Sequence, residues 1–226
     1  YNRRTSEIHL LPHTSGQNWY VKQIDSQIFI GNDMSTMLVE QNGSIQSVPG
    51  ALNSTCIVEA SINGQEVLVE ASYAELRIWK KQAGIWKLSH NVQDFYAPIK
   101  SLEVDGTGTI WASHMYNGLY RIKLDDDLHR IKDLEHIHTL GGKQKSGKIH
   151  VMKIRGRIVF SNTEGYFMYD DIEREIKPYD LLNTSVPFLT DAHTAVDVHN
   201  NEMLWLINSH EYVLLAYQEG KFVIKR

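Results

Sequence analysis

Cysteine, long apolar runs and clustered basic residues are scarce or missing in this sequence of 226 residues. The single cysteine, Cys56, cannot form a disulfide within the chain, and we expect its side chain to be a small buried apolar group. No apolar run reaches the roughly 18 residues of a transmembrane helix, so we predict no membrane contact by this segment. The formal net charge is −4 and Lys and Arg are dispersed, which disfavours nucleic acid as a partner.

Aromatic residues are abundant instead, with 11 Tyr, 6 Phe and 5 Trp, and β-branched residues are common. This composition favours strands. A chain of this length forms one large domain or two small ones, and it can bury a sizeable core without disulfides. The chain starts at Tyr1 rather than Met and carries no signal peptide, from which we expect a processed or excised protein whose location can be outside the cytoplasm.

A step of nine residues joins two apolar bursts at five places along the chain. The pairs are Ile28 and Met37, Val67 and Leu76, Ile110 and Leu119, Ile158 and Phe167, and Leu204 and Val213. Successive starting positions lie 39, 43, 48 and 46 residues apart. A period of about 40–50 residues in an all-β chain is typical of β-propeller blades.

Each repeat reads as four strands, which we call a to d. We therefore predict an all-β fold, a β-propeller segment spanning residues 1–226 with about five four-stranded blades and no helix. The expected blades are 17–48, 54–90, 97–135, 148–180 and 193–226, and residues 1–12 are expected to be an outer strand left from a preceding blade. Because the last repeat has its own strand d, we expect a piece of a larger, seven-bladed propeller. A self-contained five-bladed ring is the alternative.

The a–b turns carry residues that tolerate a positive φ, as two-residue hairpin turns require. They are Asp25-Ser26, Asn63-Gly64, Asp105-Gly106, Arg155-Gly156 and Asn200-Asn201. The c–d turns carry Asn42-Gly43, Ala83-Gly84 and Glu219-Gly220 for the same reason.

The third repeat contains Asp105, Gly106, Gly108, Ile110-Trp111 and then Gly118-Leu119-Tyr120-Arg121. This pattern resembles the two-component regulator propeller repeat, in which an Asp-x-x-Gly turn precedes an Ile/Leu-Trp strand and a Gly-Leu-Tyr-Arg/Lys strand. The fourth repeat keeps Gly165-Tyr166-Phe167 and the fifth keeps Leu204-Trp205, whereas the first two retain mainly the spacing.

The resemblance implies a periplasmic sensor region of a hybrid histidine kinase or related regulator, usually within two stacked seven-bladed propellers. It also implies an oligosaccharide ligand and allows a homodimer of the parent protein. The membrane helix and signalling domains of such a parent do not occur in these 226 residues.

Strand direction places the b–c turns and the long d–a connections at one end of every blade, where a rigid scaffold commonly carries binding residues. We call this the ligand end. The aromatic and hydrogen-bonding residues expected to contact a ligand there are Tyr73, Phe95, Tyr96, His114, Tyr116, Asn117, Glu164 and His210. In the alternative interpretation the aromatic residues pack the loops and the polar residues cap the turns.

Two further patterns are weak. Residues 142–148 have the spacing of a phosphate-binding loop, but Ile149 replaces the Ser/Thr and a strand follows instead of a helix, so we expect a flexible basic loop.

His136 and His138 share one face of a strand and, with His150, could chelate zinc. No nearby Cys, Asp or Glu completes a convincing set, although Glu135 adjoins, so we expect a structural or solvent-facing trio, with no metal and no cofactor.

The sequence thus favours a non-catalytic ligand-sensing propeller segment. A protein-binding propeller scaffold is one alternative. A five-bladed glycoside hydrolase is another, because Glu59, Glu103 and Asp197 fall on three expected inner strands and such enzymes need paired carboxylates.

Overall fold

The structure of the chain is a computed structural model, and it describes residues 4–7, 14–40, 42–140, 147–198 and 202–225. Predictions for residues 1–3, 8–13, 141–146 and 199–201 lie outside the described residues. They include most of the expected N-terminal strand, most of the loop at 142–148 and the Asn200-Asn201 turn.

Twenty strands form five sheets, which we number as blades 1 to 5 in chain order. Blade 1 contains β1 (Asn18–Ile24), β2 (Gln27–Asn32), β3 (Thr36–Val39) and β4 (Ile45–Ser47). Blade 2 contains β5 (Ser54–Ile62), β6 (Gln65–Ser72), β7 (Leu76–Gln82) and β8 (Ile85–Asn91). Blade 3 contains β9 (Ile99–Val104), β10 (Ile110–His114), β11 (Leu119–Leu124) and β12 (Ile131–Ile137). Blade 4 contains β13 (His150–Ile154), β14 (Arg157–Asn162), β15 (Gly165–Asp170) and β16 (Glu175–Pro178), and blade 5 contains β17 (Thr194–Val198), β18 (Met203–Ile207), β19 (Tyr212–Gln218) and β20 (Lys221–Ile224).

Every sheet is antiparallel with its strands paired in chain order. First strands of successive blades contact one another, β1 with β5, β5 with β9, β9 with β13 and β13 with β17, so they lie innermost. The prediction of an all-β propeller with five four-stranded blades is confirmed.

The core lies between the blades, because each sheet presents apolar side chains on both faces. Trp111 of β10 shows this most clearly: its side chain is 0% exposed and its ring lies 5.2 Å from that of Phe160 and 4.6 Å from that of Tyr169, both in blade 4. Ile110 and Ala112, its neighbours in the same strand, face the opposite way and pack with blade 2. Burial on both faces explains why the strands lack a strict apolar–polar alternation.

Hydroxyl groups add bonds between neighbouring blades. Ser113 Oγ donates to the carbonyl of Ile149, and Ser161 Oγ donates to that of Ala192. Thr55 Oγ1 lies 2.7 Å from the carbonyl oxygen of Ile99. These buried hydroxyls satisfy backbone carbonyls where one blade meets the first residues of the next.

Two-residue hairpin turns form at most of the expected places, but not at Asn42-Gly43 in blade 1, where only Gly43 has a positive φ and the Glu40 N–H bonds to the Ser44 carbonyl, nor at Asp105-Gly106 in blade 3. Positive φ values occur at Asn63-Gly64, at Arg155-Gly156 and at Ala83-Gly84. In blade 3 the positive φ falls on Gly108, and Asp105-Gly106 does not form the expected two-residue turn. The Asp105 carboxylate instead accepts the N–H groups of Thr107 and Thr109 and, through its other oxygen, the indole N–H of Trp111 at 2.8 Å.

A short helix that the sequence did not predict, α1 (Asp180–Ser185), lies in the connection between blades 4 and 5. Leu182 of this helix and the following Val186 and Leu189 are fully buried in the core between those blades. The long connection thus extends the core and does not simply cross the surface. In the described ranges no helix is long and apolar enough to cross a membrane.

We predict that Trp111→Ala lowers the free energy of unfolding by about 3–5 kcal/mol, because truncating a fully buried aromatic residue leaves a cavity between two blades. Trp205 occupies the equivalent position in blade 5, but its side chain is only half-buried and contacts the exposed Tyr212. Trp205→Ala is therefore the matched control, with an expected loss of roughly 1–2 kcal/mol since less area is removed from contact.

Urea denaturation of the wild type and both variants measures these losses. Equal losses in the two variants would contradict the role given to the blade 3–blade 4 contact.

Acid should destabilise the fold through His150, which is 4% exposed. Burial, followed by the positive charges of Lys100, His193 and Lys148, lowers the pKa of His150 to about 4, even though Asp191 Oδ1 lies 3.3 Å from Nε2. The unfolded chain, with a histidine pKa near 6.5, then binds more protons than the folded chain between these two values. Stability from this group is complete above about pH 6.5 and is lost as the pH falls towards 4, by on the order of 3 kcal/mol.

The measurement is urea denaturation at several pH values in the wild type and in His150→Gln, which cannot titrate there. We expect a flatter pH dependence in the variant. Parallel curves for the two proteins would show that His150 is not responsible.

Candidate functional site

The b–c turns and the d–a connections meet at one end of the propeller, as strand direction predicts. The Met115 N–H lies 2.9 Å from the carbonyl oxygen of Pro98, which joins the turn of blade 3 to the connection that precedes it. In blade 4 the b–c turn is bonded to the connection that follows it, through the Asp191 N–H and the Asn162 carbonyl oxygen at 2.9 Å. The ligand end is thus a continuous surface of turns held on rigid strands.

A side chain at the end of strand b caps each b–c turn by accepting backbone N–H groups from two or three residues further on. The caps are Asn32, Ser72, His114, Asn162 and Asn208. Such bonds satisfy amides that the tight turn leaves without a ladder partner. Four of the caps use an amide or hydroxyl oxygen, and blade 3 uses an imidazole nitrogen.

The turn of blade 3 is also longer. The His114 N–H bonds to the carbonyl of Gly118, four residues on, whereas in blades 1, 2 and 5 the equivalent bond spans three residues. His114 Nδ1 accepts the N–H groups of both Tyr116 and Asn117, at 3.1 and 3.0 Å. The Tyr116 side chain is 68% exposed, and Asn117 is exposed beside it.

Aromatic and imidazole rings lie around this turn. We call His114, His136 and His138 the histidine cluster. The His136 ring lies 6.1 Å from that of His114, 3.8 Å from that of His138 and 4.1 Å from that of Tyr120, on which it stacks. His136 Nε2 also lies 3.1 Å from the carbonyl oxygen of Asn117. The exposed turn therefore rests on a layer of packed rings.

The electrostatics of the cluster favour neutral imidazole at His114. Burial lowers the pKa of His114, and His136 and His138 lower it further because two neighbouring positive charges repel. Burial also raises the pKa of Tyr120, which keeps its hydroxyl protonated.

The residues predicted to contact a ligand divide into two groups. Tyr96, in the connection that precedes blade 3, is 80% exposed, and this connection is bonded to the turn that carries His114, Tyr116 and Asn117. The remaining residues, Tyr73, Glu164 and His210, lie in the b–c turns of blades 2, 4 and 5.

Phe95, also predicted as a contact, is 2% exposed and packs edge-on against Tyr120 at 5.5 Å. Its ring supports the layer from below and is closed to a ligand. Tyr73 is half-buried and its hydroxyl accepts the indole N–H of Trp19 at 3.1 Å, whereas Glu164 and His210 are exposed.

Sequence reasoning missed Tyr120 and linked the histidines incorrectly. The rings of His136 and His138 do lie together, 3.8 Å apart, although His138 follows the end of β12. The third histidine beside them is His114, and His150 lies with Asp191 and His193 instead. Tyr120 could have been found from the pairing of β11 with β12, because that register places Tyr120 directly opposite His136. In the described part of the chain no three His, Cys, Asp or Glu residues are grouped so that they could hold a metal ion.

The opposite end of the propeller holds a cavity of about 530 Å³ lined by turn residues and by side chains of the inner strands. Its lining includes Asp25, Glu59, Trp86 and Lys153. Asp25 accepts the indole N–H of Trp86 at 2.9 Å and lies 2.9 Å from Lys81 Nζ, so its carboxylate is already paired. This cavity lies away from the predicted contacts.

Glu103, on inner strand β9, has the most perturbed carboxyl group of the inner strands. Burial raises its pKa to about 7, against the opposing effect of Lys153 and Lys22. The two ammonium groups donate to backbone carbonyls of neighbouring blades, Lys153 to Val104 at 2.8 Å and Lys22 to Ile57 at 3.2 Å. Burial also raises the pKa of Asp197, on the inner strand of blade 5.

Comparison with known sequences gives no match: no family model matches the chain, and neither does any curated protein. Solved structures do match. Two are extracellular domains assigned to hybrid two-component systems of Bacteroides thetaiotaomicron, at TM-scores of 0.62 and 0.63 and identities of 14% and 15%. Each match covers 95% or 96% of this chain, which spans only 30% or 28% of the sensor domains.

A third match is virginiamycin B lyase from Staphylococcus aureus, with a TM-score of 0.62, 13% identity and coverage of 96% of this chain and 72% of the lyase. Sensor domains and an enzyme therefore share this architecture. At such low identities, the likeness establishes a common β-propeller fold and leaves function to the residues of the site.

Proposed function

We propose that this chain is a non-catalytic ligand-sensing propeller segment of a bacterial two-component sensor, and that it recognises an oligosaccharide at the ligand end. The observation that carries the proposal is the exposed Tyr116–Asn117 turn of blade 3, supported on packed rings and bonded to the connection that carries the exposed Tyr96. The third repeat, which best resembles the regulator repeat, is the one that builds this surface.

The chemistry of the surface suits a neutral ligand rich in hydroxyl groups. A tyrosine ring offers an apolar face for the C–H groups of a sugar, and its hydroxyl offers a polar edge. The Asn117 amide both donates and accepts hydrogen bonds. Glu164 and His210, in neighbouring turns, would extend contacts along a longer chain, and so would the Tyr73 hydroxyl.

The likeness to extracellular sensor domains supports a location outside the cytoplasm, and we propose the periplasm. Signal output and any dimerisation would belong to the parent protein. A protein ligand is the alternative occupant of this surface, because exposed tyrosines are also common at protein interfaces.

A glycoside hydrolase remains the second candidate because of one observation. Burial raises the pKa of Glu103 to about 7, as a general acid acting near neutral pH requires, and the residues that follow it, Val104 and Asp105, line the cavity of about 530 Å³. One observation disfavours a hydrolase. Lys22 and Lys153 donate to backbone carbonyls of neighbouring blades, so these charged side chains of the inner strands join blades together.

We predict that Tyr116→Ala weakens oligosaccharide binding by about 1–3 kcal/mol, as loss of an aromatic anchor does, with little change in stability. Calorimetric titration with a panel of neutral hexose and pentose oligosaccharides measures the effect. Ile172→Ala is the control, because Ile172 is 92% exposed but lies in the c–d turn of blade 4, at the opposite end of the propeller.

Equal affinities of the wild type and folded Tyr116→Ala would remove the blade 3 turn from the site. If no oligosaccharide binds, the sugar assignment fails and a protein ligand becomes the better hypothesis.

We predict that the chain does not hydrolyse glycosides. Aryl glycosides of the common hexoses and pentoses, incubated with the wild type at pH 5 to 8, should release their chromophore at the buffer rate. Turnover that disappears in Glu103→Gln would contradict the non-catalytic assignment and support the hydrolase.

A further inference from the structure

The five turn caps at the ligand end differ in one chemical property. Asn32, Ser72, Asn162 and Asn208 keep the same hydrogen-bonding capacity at every physiological pH, whereas His114 can take up a proton. The caps occupy equivalent positions in the five blades. Of these five turns, only the turn of blade 3 therefore depends on the protonation state of its cap.

We propose that His114 is a positioning residue whose neutral imidazole holds the Tyr116–Asn117 turn in place, so that acidification releases this turn and weakens ligand binding there. The consequence for ligand binding rests on the proposed function. The release of the turn itself does not.

The hydrogen bonds define the state of the imidazole that the turn requires. Nδ1 accepts the N–H groups of Tyr116 and Asn117, so it must carry a lone pair, and the ring proton must lie on Nε2. Protonation places a hydrogen on both ring nitrogens. Nδ1 is then a donor and can no longer accept the N–H groups of Tyr116 and Asn117. Both amides lose their acceptor, and this turn has one residue more to order than its counterparts in blades 1, 2 and 5.

A second contact holds the same turn from the other side. His136 Nε2 lies 3.1 Å from the Asn117 carbonyl oxygen and must donate a proton to it, which both neutral and charged His136 can do. Acid therefore acts on the turn through His114, because only the accepting nitrogen loses its function on protonation.

The groups that face His114 set the direction of the response. His136 and His138 face it from β12 and the residues that follow, Tyr120 from β11 and Tyr116 from the turn itself. Burial and the two histidines lower the pKa of His114, so the turn-bound state takes up a proton less readily than the released turn. The stabilisation from the cap is therefore complete above the ordinary histidine pKa of about 6.5 and is lost progressively as the pH falls from there through the lowered pKa of His114.

The chain itself suggests the matched variant. His114→Asn installs the cap found in blades 1, 4 and 5, which retains an acceptor for the turn amides and cannot titrate. If His114 acts as proposed, this variant preserves the turn at neutral pH and removes its dependence on acid.

NMR of the wild type tests the state of the ring and of the turn without any ligand. At pH 7.5 the ¹⁵N shifts of His114 should identify the tautomer protonated on Nε2. Between pH 7.5 and 5, the hydrogen-exchange protection factors of the Tyr116 and Asn117 amides should fall by roughly tenfold or more. The Glu164 amide, capped by Asn162 in blade 4, is the internal control and should change less than about twofold.

In His114→Asn the Tyr116 and Asn117 amides should behave as Glu164 does. A ring protonated on Nδ1 at pH 7.5 would overturn the proposal. Wild-type protection that stays constant, or that falls equally at Glu164, would also overturn it, and this comparison holds even if the variant fails to fold. Failure of all oligosaccharides to bind would refute the proposed function and leave the exchange result standing.

Discussion

The fold depends on one constraint: a small sheet that is apolar on both faces must have those faces covered, as the sheets of blades 2 to 4 are by the blades on either side. Trp111 meets this constraint by packing its ring against Phe160 and Tyr169 of the next blade, while its strand neighbours Ile110 and Ala112 pack towards the preceding blade. Neither face can be left to water without losing a large apolar area. Repetition of this arrangement leaves only the strand ends for function.

The strand ends require their own chemistry, since tight turns leave backbone amides without partners. One cap residue at the end of each strand b satisfies them, and the choice of that residue has little effect on the blade faces. Blade 3 therefore carries His114 and a longer turn, while Trp111, Ile110 and Ala112 keep the packing between blades. The separation of packing from turn chemistry explains how one architecture supports sensor domains and a lyase alike.

Spacing predicted the blades well, but it did not give the orientation of every strand. Ile110, Ile158 and Leu204 each face the preceding blade, whereas Val67 packs with blade 3 and Leu68 packs with Phe29 of blade 1. The starting position in blade 2 is thus one residue out of phase: Val67 lies two residues after Gln65, the first residue of its strand, whereas Ile28 and Ile158 lie one residue after Gln27 and Arg157. A shift of one residue moves a side chain to the other face of a strand.

The helix α1 was missed for a related reason: its six residues carry too weak a periodic signal, and burial of Leu182 stabilises it.

The sequence by itself determined the fold class, the number of blades and the end of the propeller to which the b–c turns belong, since these follow from apolar spacing, turn residues and strand direction. It also placed Tyr96, His114, Tyr116 and Asn117 in segments that meet. Only the tertiary structure decided that Phe95 is buried, that His136 and His138 join His114 and not His150, and that His114 caps a turn through Nδ1. The physical reason is that strand register and packing between blades join residues far apart in the chain, and a local pattern contains neither.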